Sequence, residues 1–226
     1  MSEPCILAFD TTTDACSAAL STAGRVLSRY EVIPRGHAQR LLPMLDELLG
    51  QAGLRVSDLD AIAYCRGPGS FTGSRIAVGS AQGLAYGANR PVIPVSTLAC
   101  IAQGVYREQG GETVLAAIDA RMDQVYWGAY RVSRQGIMVA MDDEVVVSPD
   151  AAPVPPMTGS WYGVGTGWGA YQARLMARCD KPPAAIDGER LPQASDCLTI
   201  ALAAYREGAT DDASRALPVY LRNRVT

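Results

Sequence analysis

The chain has 226 residues, of which 48% are hydrophobic and 19% charged, a composition typical of globular proteins with a buried core. This length allows one large domain or two small lobes. The net charge of −3 argues against tight nucleic-acid binding by the chain alone, because such binding needs a basic surface. The apolar run at residues 5–9 is too short for a signal peptide or a membrane span, so a cytoplasmic protein is expected.

The nucleophilic and metal-ligating residue types are sparse. Six cysteines are scattered without a CxxC spacing, which predicts free buried thiols and no zinc site. His37 is the only histidine, so a histidine-rich metal site cannot be built from this chain. No Ser/His/Asp or Cys/His arrangement can be assigned. We therefore predict no catalytic residue and no metal ligand.

The first half of the chain alternates strand and helix patterns. A continuous apolar run that ends on Asp10 predicts a buried central strand. A helix is predicted over residues 37–52, where leucines recur at helical spacing and Pro43 predicts a kink or a late start. The other predicted elements are a hairpin at 15–21 and 25–33, strands at 60–65 and 91–95, a helix at 72–88, and a helix capped by Ser96 or Thr97.

The second half repeats the opening pattern in a weaker form. An apolar strand at 113–119 again ends on an acid, Asp119, and is followed by a polar turn and further strands at 125–132 and 136–147. A loop, a short strand, a helix at 167–178, an irregular stretch at 181–192 and a helix at 195–207 complete the prediction. We predict an α/β fold of two ribonuclease-H-like lobes, residues 1–108 and 109–226. The second lobe is smaller and more irregular, and its tail is a candidate to pack back on the first.

Two turns are candidate nucleotide contacts: Asp10, Thr11 and Thr12 in the first lobe and Asp119 in the second. In two-lobed sugar-kinase and actin-like proteins, such turns wrap nucleotide phosphates. The alternative is that each aspartate only caps its own turn. Both turns contain little glycine, which a backbone cradle for phosphate usually needs. A glycine-rich stretch at 163–169 is a further phosphate-loop candidate, with a tight structural turn as its alternative.

The most specific stretch runs from Gly67 to Arg75. A proline between two glycines predicts a rigid turn, and Ser70 or Thr72 can cap the helix that follows. That helix carries glycines at four-residue intervals, at 79, 83 and 87. Each costs about 1 kcal/mol relative to alanine, so close backbone approach on this face is expected. The approach could be to the sheet beneath or to a helix of another chain.

Several stretches together resemble the TsaB family of bacterial tRNA threonylcarbamoyladenosine biosynthesis subunits. They are residues 6–12, 37–43, 67–75, 94–98, 119–121 and 218–222. The resemblance implies the two-lobed actin-like (ASKHA) fold. The family's catalytic paralogue, TsaD, carries a His-x-x-x-His metal motif. Here His37 is followed four residues later by Leu41, so one of the two ligands is absent.

The resemblance also implies partners and a function. Such subunits do no chemistry of their own and bind and activate a TsaD-like catalytic subunit through the two helices of the first lobe. A TsaE-like ATPase subunit joins, and the complex uses ATP. The complex transfers a threonylcarbamoyl group to the adenosine next to the tRNA anticodon. The chain is expected to bind tRNA only as part of the complex, to form a homodimer when its partner is absent, and not to associate with membranes.

The implied partner interface is assigned to nine residues of the two helices: Leu41, Leu45, Leu48, Phe71, Arg75, Ile76, Gly79, Gly83 and Tyr86. Two other functions remain open at this stage. One is a stand-alone ATPase of the actin-like class that uses Asp10. The other is a metallopeptidase related to glycoproteases, which a single histidine disfavours.

Overall fold

The computed structural model describes residues 3–222. Contacts divide the chain into two compact units, Met1–Cys100 with Pro192–Val219, and Ile101–Leu191 with Tyr220–Thr226. This division differs from the single cut predicted between residues 108 and 109, because residues 192–219 pack with the first unit. No helix within residues 3–222 combines the length and apolar content needed to cross a membrane.

The first unit is built on a five-stranded sheet in the order β3-β2-β1-β4-β5. The strands β1 and β2 and the strands β2 and β3 pair antiparallel, whereas β1, β4 and β5 run parallel. The predicted hairpin is β2–β3. The bounds are β1 (Ile6–Asp10), β2 (Ala15–Thr22), β3 (Arg25–Val32), β4 (Ala61–Cys65) and β5 (Val92–Val95).

Helices cover both faces of this sheet. The central strand β1 is buried on both sides, because Leu7 and Phe9 point to one face and Ile6 and Ala8 to the other. The first face packs against α1 (His37–Ala52) and α2 (Phe71–Ala88). The second face packs against α5 (Ala194–Arg206), whose small side chains allow a close approach.

The second unit contains a sheet in the order β11-β10-β6-β7-β8, with β9 also paired to β7. Its core on one face holds three tryptophans, Trp127, Trp161 and Trp168, with neighbouring rings 5.6 to 5.9 Å apart. The helix α3 (Thr97–Gln109) begins in the first unit and ends in the second. The other bounds are β6 (Thr113–Asp119), β7 (Val125–Val132), β8 (Met138–Ala140), β9 (Val145–Val147), β10 (Tyr162–Val164), α4 (Thr166–Met176) and β11 (Ala185–Asp187).

Two predicted segments of this unit were wrong. The single strand expected at 136–147 is two short strands, β8 and β9, separated by a stretch that contains three consecutive acidic residues. Both pair with β7. The stretch 181–192, expected to be irregular, contains β11, which is held by parallel pairing to β10. The three residues of β11 lie in a stretch without a clear apolar pattern, so its pairing with β10 was not predicted.

Candidate functional site

The turn after β1 is buried within the first unit, where its side chains are hydrogen-bonded except at Asp10 Oδ2, which has no hydrogen-bond partner among residues 3–222. Asp10, Thr11 and Thr12 are fully buried. The Thr12 amide and hydroxyl both donate to Asp10 Oδ1, at 3.1 and 2.6 Å, and the Thr12 hydroxyl also pairs with that of Thr97 at 2.9 Å. Thr11 Oγ1 donates to the Gly73 carbonyl at 2.7 Å. These contacts leave the three side chains no exposed surface with which to bind a nucleotide.

Burial also changes the acidity of this turn. Removal from water raises the pKa of Asp10 to about 6, although the hydrogen bonds from Thr12 favour the carboxylate. The desolvation of the carboxylate therefore outweighs its hydrogen bonds.

The glycine-rich loop after β4 packs directly on this turn. The Ser70 amide donates to the Thr12 carbonyl at 2.6 Å, and the Ser70 hydroxyl caps α2 by accepting from the Gly73 amide at 3.2 Å. A Cβ on Gly69 or Gly73 would overlap a backbone carbonyl of Thr12 or Thr11. These two glycines therefore let the first turn of α2 approach the backbone of the β1 turn.

Asp119 lies at the end of β6, in the second unit. Its Oδ1 accepts from the Arg121 amide at 2.9 Å, and its own amide donates to Thr166 Oγ1 at 3.0 Å. Arg121 Nη1 also lies 3.2 Å from the Asp119 carboxylate. These contacts match the turn-capping alternative for this aspartate.

His37 is the first residue of α1. Its Nε2 lies 3.2 Å from the Ala15 carbonyl, and its side chain is 8% exposed. Leu41, one turn later, points into the hydrophobic core. Within residues 3–222, no group of three or more His, Cys, Asp or Glu side chains is arranged to hold a metal ion.

The outward face of α2 has an unusual surface. A Cβ placed on Gly79, Gly83 or Gly87 would meet no atom of residues 3–222 within 4 Å, so these glycines do not face the sheet. The sheet instead packs against Ala77, Ala81 and other buried residues on the opposite side of the helix. Packing on the sheet therefore does not explain the three glycines. The other alternative is close approach to a helix of another chain.

Large apolar side chains flank these glycines. Tyr86 is 85% exposed and Phe71 48%, and the Arg75 guanidinium lies 3.6 Å from the centre of the Phe71 ring. Ile76 is half-buried on the same helix. We call this surface the glycine face, and it comprises Phe71, Arg75, Ile76, Gly79, Gly83, Tyr86 and Gly87.

The three leucines assigned to the partner interface do not reach this surface. Leu41, Leu45 and Leu48 are at most 2% exposed and form part of the core between α1 and the sheet. They pack α1 onto the sheet, because the apolar stripe of an amphipathic helix faces the core of its own domain. The exposed leucine of α1 is Leu42, which is not among the nine assigned residues. Its position one residue off the core stripe was the signal that could have identified it.

Comparisons with known proteins agree on one family. A family model described as "TsaD: tRNA N6-adenosine threonylcarbamoyltransferase" matches residues 29–159. The tRNA threonylcarbamoyladenosine biosynthesis protein TsaB of Escherichia coli (strain K12) is 46% identical, covering 97% of this chain and 95% of that protein. TsaB of Haemophilus influenzae is 40% identical, with 98% and 94% covered.

A solved structure extends this likeness to three dimensions. It is described as an uncharacterized protein with similarity to peptidase YEAZ, from Pseudomonas aeruginosa. It superimposes with a TM-score of 0.91 at 52% identity and covers 98% of this chain and 100% of that chain. The two sheets and five helices within residues 3–222 define a two-lobed α/β protein of the actin-like class, as predicted. Identity at this level over nearly the full length is more specific than the fold. The chain belongs to the TsaB family of tRNA threonylcarbamoyladenosine biosynthesis proteins.

Proposed function

We propose that this chain takes part in tRNA threonylcarbamoyladenosine biosynthesis as a non-catalytic subunit that binds and activates a TsaD-type catalytic subunit. The observation that carries this proposal is the glycine face of α2. Three exposed helical glycines together cost about 3 kcal/mol relative to alanine, and no contact among residues 3–222 uses the space they leave open. A helix of another protein, packed closely on this face, would use it.

The composition of the glycine face fits such an interface. Exposed aromatic and arginine side chains are the residues that dominate binding energy at protein–protein interfaces, and Phe71, Arg75 and Tyr86 supply them here. Glycines between them permit close approach of two helix backbones. The same surface would serve self-association when the catalytic subunit is absent.

The remaining parts of the proposal concern the assembly. A TsaE-type ATPase subunit would join, ATP would be used by the complex, and tRNA would be bound through the complex. The net charge of −3 supports the last point, since no basic excess is present to attract tRNA to this chain. No observation favours a stand-alone ATPase, because Asp10 is fully buried. We expect the assembly to work in the cytoplasm.

Mixing the chain with a TsaD-type subunit and measuring the size of the product tests the interface. Gly79→Leu combined with Gly83→Leu should abolish the heterodimer, because two branched side chains would hold the helices apart. Gly50→Leu is the matched control, since Gly50 is also an exposed helical glycine with open space above it but lies on α1. A heterodimer of undiminished stability in the double variant would refute the interface.

A further inference from the structure

The strand β3 lies at one edge of the sheet of the first unit, and within residues 3–222 it pairs only with β2. It is eight residues long and contains neither proline nor lysine, two residue types that commonly protect edge strands. A long edge strand without such protection readily pairs with a strand of another chain. The edge of β3 has no role in the function proposed above.

The geometry of the β2–β3 hairpin shows which backbone groups point to the open edge. Just beyond β3, the Ile33 amide donates to the Asp14 carbonyl at 2.8 Å. Because hydrogen bonding alternates along an antiparallel strand, the odd-numbered residues of β3 bond to β2 and the even-numbered residues face away from it. Outside the ladder with β2, no backbone hydrogen bond joins Val26, Ser28 or Val32 to a described residue.

The side chains of the even-numbered residues form an apolar strip. The register places Ser28 opposite Ala19, which lies on the face of the sheet that α5 covers. The even-numbered residues of β3 share this face, because side chains alternate along a strand. The helix α5 nevertheless leaves them open to solvent, with Val26 56%, Tyr30 44% and Val32 56% exposed. A strand added at this edge would bury part of that apolar surface.

The sequence of β3 is complementary to itself in one antiparallel register. A two-fold axis at Ser28 places Val26 of one copy opposite Tyr30 of the other. The same axis places Arg25 opposite Glu31. Apolar side chains therefore meet apolar ones and a positive charge meets a negative one, which are the cross-strand pairs that stabilise a sheet.

Other registers of two β3 strands are less favourable. The two residues of an antiparallel pair bond in the same direction, so the axis must pass through a residue and not between two residues. An axis at Arg29 places two arginines opposite each other, and an axis at Leu27 pairs Arg25 with Arg29. An axis at Tyr30 brings Pro34, which has no amide hydrogen, into the pairing. Axes nearer either end leave most of the strand unpaired.

We propose that β3 is a docking edge for a second copy of this chain, with the two β3 strands paired antiparallel about Ser28 in one continuous sheet. The Ser28 carbonyl accepts from Arg29 Nη1 at 3.0 Å, and its second lone pair can accept from the amide of the other copy. The helix α2 packs on β4 and β5, which β1 and β2 separate from β3. This dimer therefore does not use the glycine face.

Disulfide cross-linking tests the register. In Ser28→Cys, the two introduced cysteines face each other with Cα atoms about 5.5 Å apart, within reach of a disulfide. In the control Val26→Cys, they lie about 13 Å apart along the strands, which is beyond reach. Oxidation of the whole chain should therefore link Ser28→Cys into a dimer, but neither Val26→Cys nor the unaltered chain. Equal cross-linking in both variants, or none in Ser28→Cys, would overturn the proposal.

Association in solution separates this edge from the glycine face. The Gly79→Leu and Gly83→Leu double variant should still form a dimer in sedimentation over a concentration series. Adding Ser28→Pro removes an outward amide but no bond to β2, and should weaken this dimer at least about tenfold, whereas Ser28→Ala should not. Urea unfolding checks that the proline variant is folded. A double variant that stays monomeric would refute the docking edge and leave the partner interface untouched.

Discussion

At the scale of single residues, Asp10 is a charge kept in the core of the first unit. Hydrogen bonds to a buried carboxylate offset its lost hydration, and the Thr12 amide and hydroxyl provide them at Asp10 Oδ1. Asp10 Oδ2 is buried without a hydrogen-bond partner among residues 3–222. The compensation is incomplete, because burial still raises the pKa of Asp10 to about 6. In the unfolded chain an aspartate has a pKa near 3.9.

This difference predicts how stability depends on pH. The folded chain binds the Asp10 proton more tightly than the unfolded chain, so Asp10 lowers the free energy of unfolding as pH rises from about 4 to about 6. The decrease amounts to up to about 3 kcal/mol and is complete above pH 6. Asp10→Asn should remove this slope in urea unfolding measured across the range. The control Asp46→Asn should keep it, and an equal slope in Asp10→Asn would contradict the assignment.

The sequence predicted individual side chains unevenly. Asp10 at the end of a buried strand could be recognised, since a continuous apolar run that ends on an acid is a local pattern. Its neighbours were assigned as candidate nucleotide contacts, but their accessibility depends on α2, which packs on them from more than fifty residues away. Helical spacing also failed to place the leucines of α1. It identifies an apolar stripe but does not show whether that stripe packs in the core or lies at an interface, and Leu41, Leu45 and Leu48 lie in the core.

At the scale of elements, α2 uses glycine in two opposite ways. Gly73 lies on the side packed against the Thr11 backbone, where the absence of a side chain is required. Gly79, Gly83 and Gly87 lie on the outward side, where a side chain would fit freely. The glycines on the outward side therefore lower the intrinsic stability of α2, and no contact among residues 3–222 requires them there.

The same substitution at two positions of α2 should consequently have opposite effects. Gly73→Ala forces a methyl group onto a backbone carbonyl and should lower the free energy of unfolding by about 2 kcal/mol or more. Gly79→Ala should raise it by about 0.5–1 kcal/mol, because alanine favours the helix and meets nothing. Chemical denaturation of both variants measures the difference. Destabilisation by Gly79→Ala would indicate that Gly79 is packed within the chain itself.

Elements of the first unit were predictable because their patterns are long and regular. The strand β1 and the helices α1 and α2 lie within a few residues of their predicted bounds. The strands β8 and β9 were predicted as one strand and β11 was not recovered, whereas the equally short β10 was predicted between a loop and a helix. The strands β8, β9 and β11 exist through pairing with β7 and β10, which the local sequence does not encode.

At the scale of the whole molecule, the restart at residue 113 predicted two lobes, and the class of fold is confirmed. The sequence did not predict that the chain returns to the first unit after completing the second. α5 packs against β1 and β4 of the first unit, although it follows the second unit in sequence. Its buried residues, such as Ala194, Cys197 and Leu198, would suit either sheet. The small side chains Ala8, Ala61 and Ala63 of β1 and β4 leave room for this helix on the sheet of the first unit.

The central claim is that this chain activates a catalytic partner without performing the chemistry. Reconstituted threonylcarbamoyl transfer to tRNA, with TsaD-type and TsaE-type subunits in the presence or absence of this chain, tests it most directly. Transfer should fall at least about tenfold without the chain, and this chain alone should give none. The Gly79→Leu and Gly83→Leu double variant should fail to restore it, whereas Gly50→Leu should succeed. Equal transfer without the chain would contradict the account.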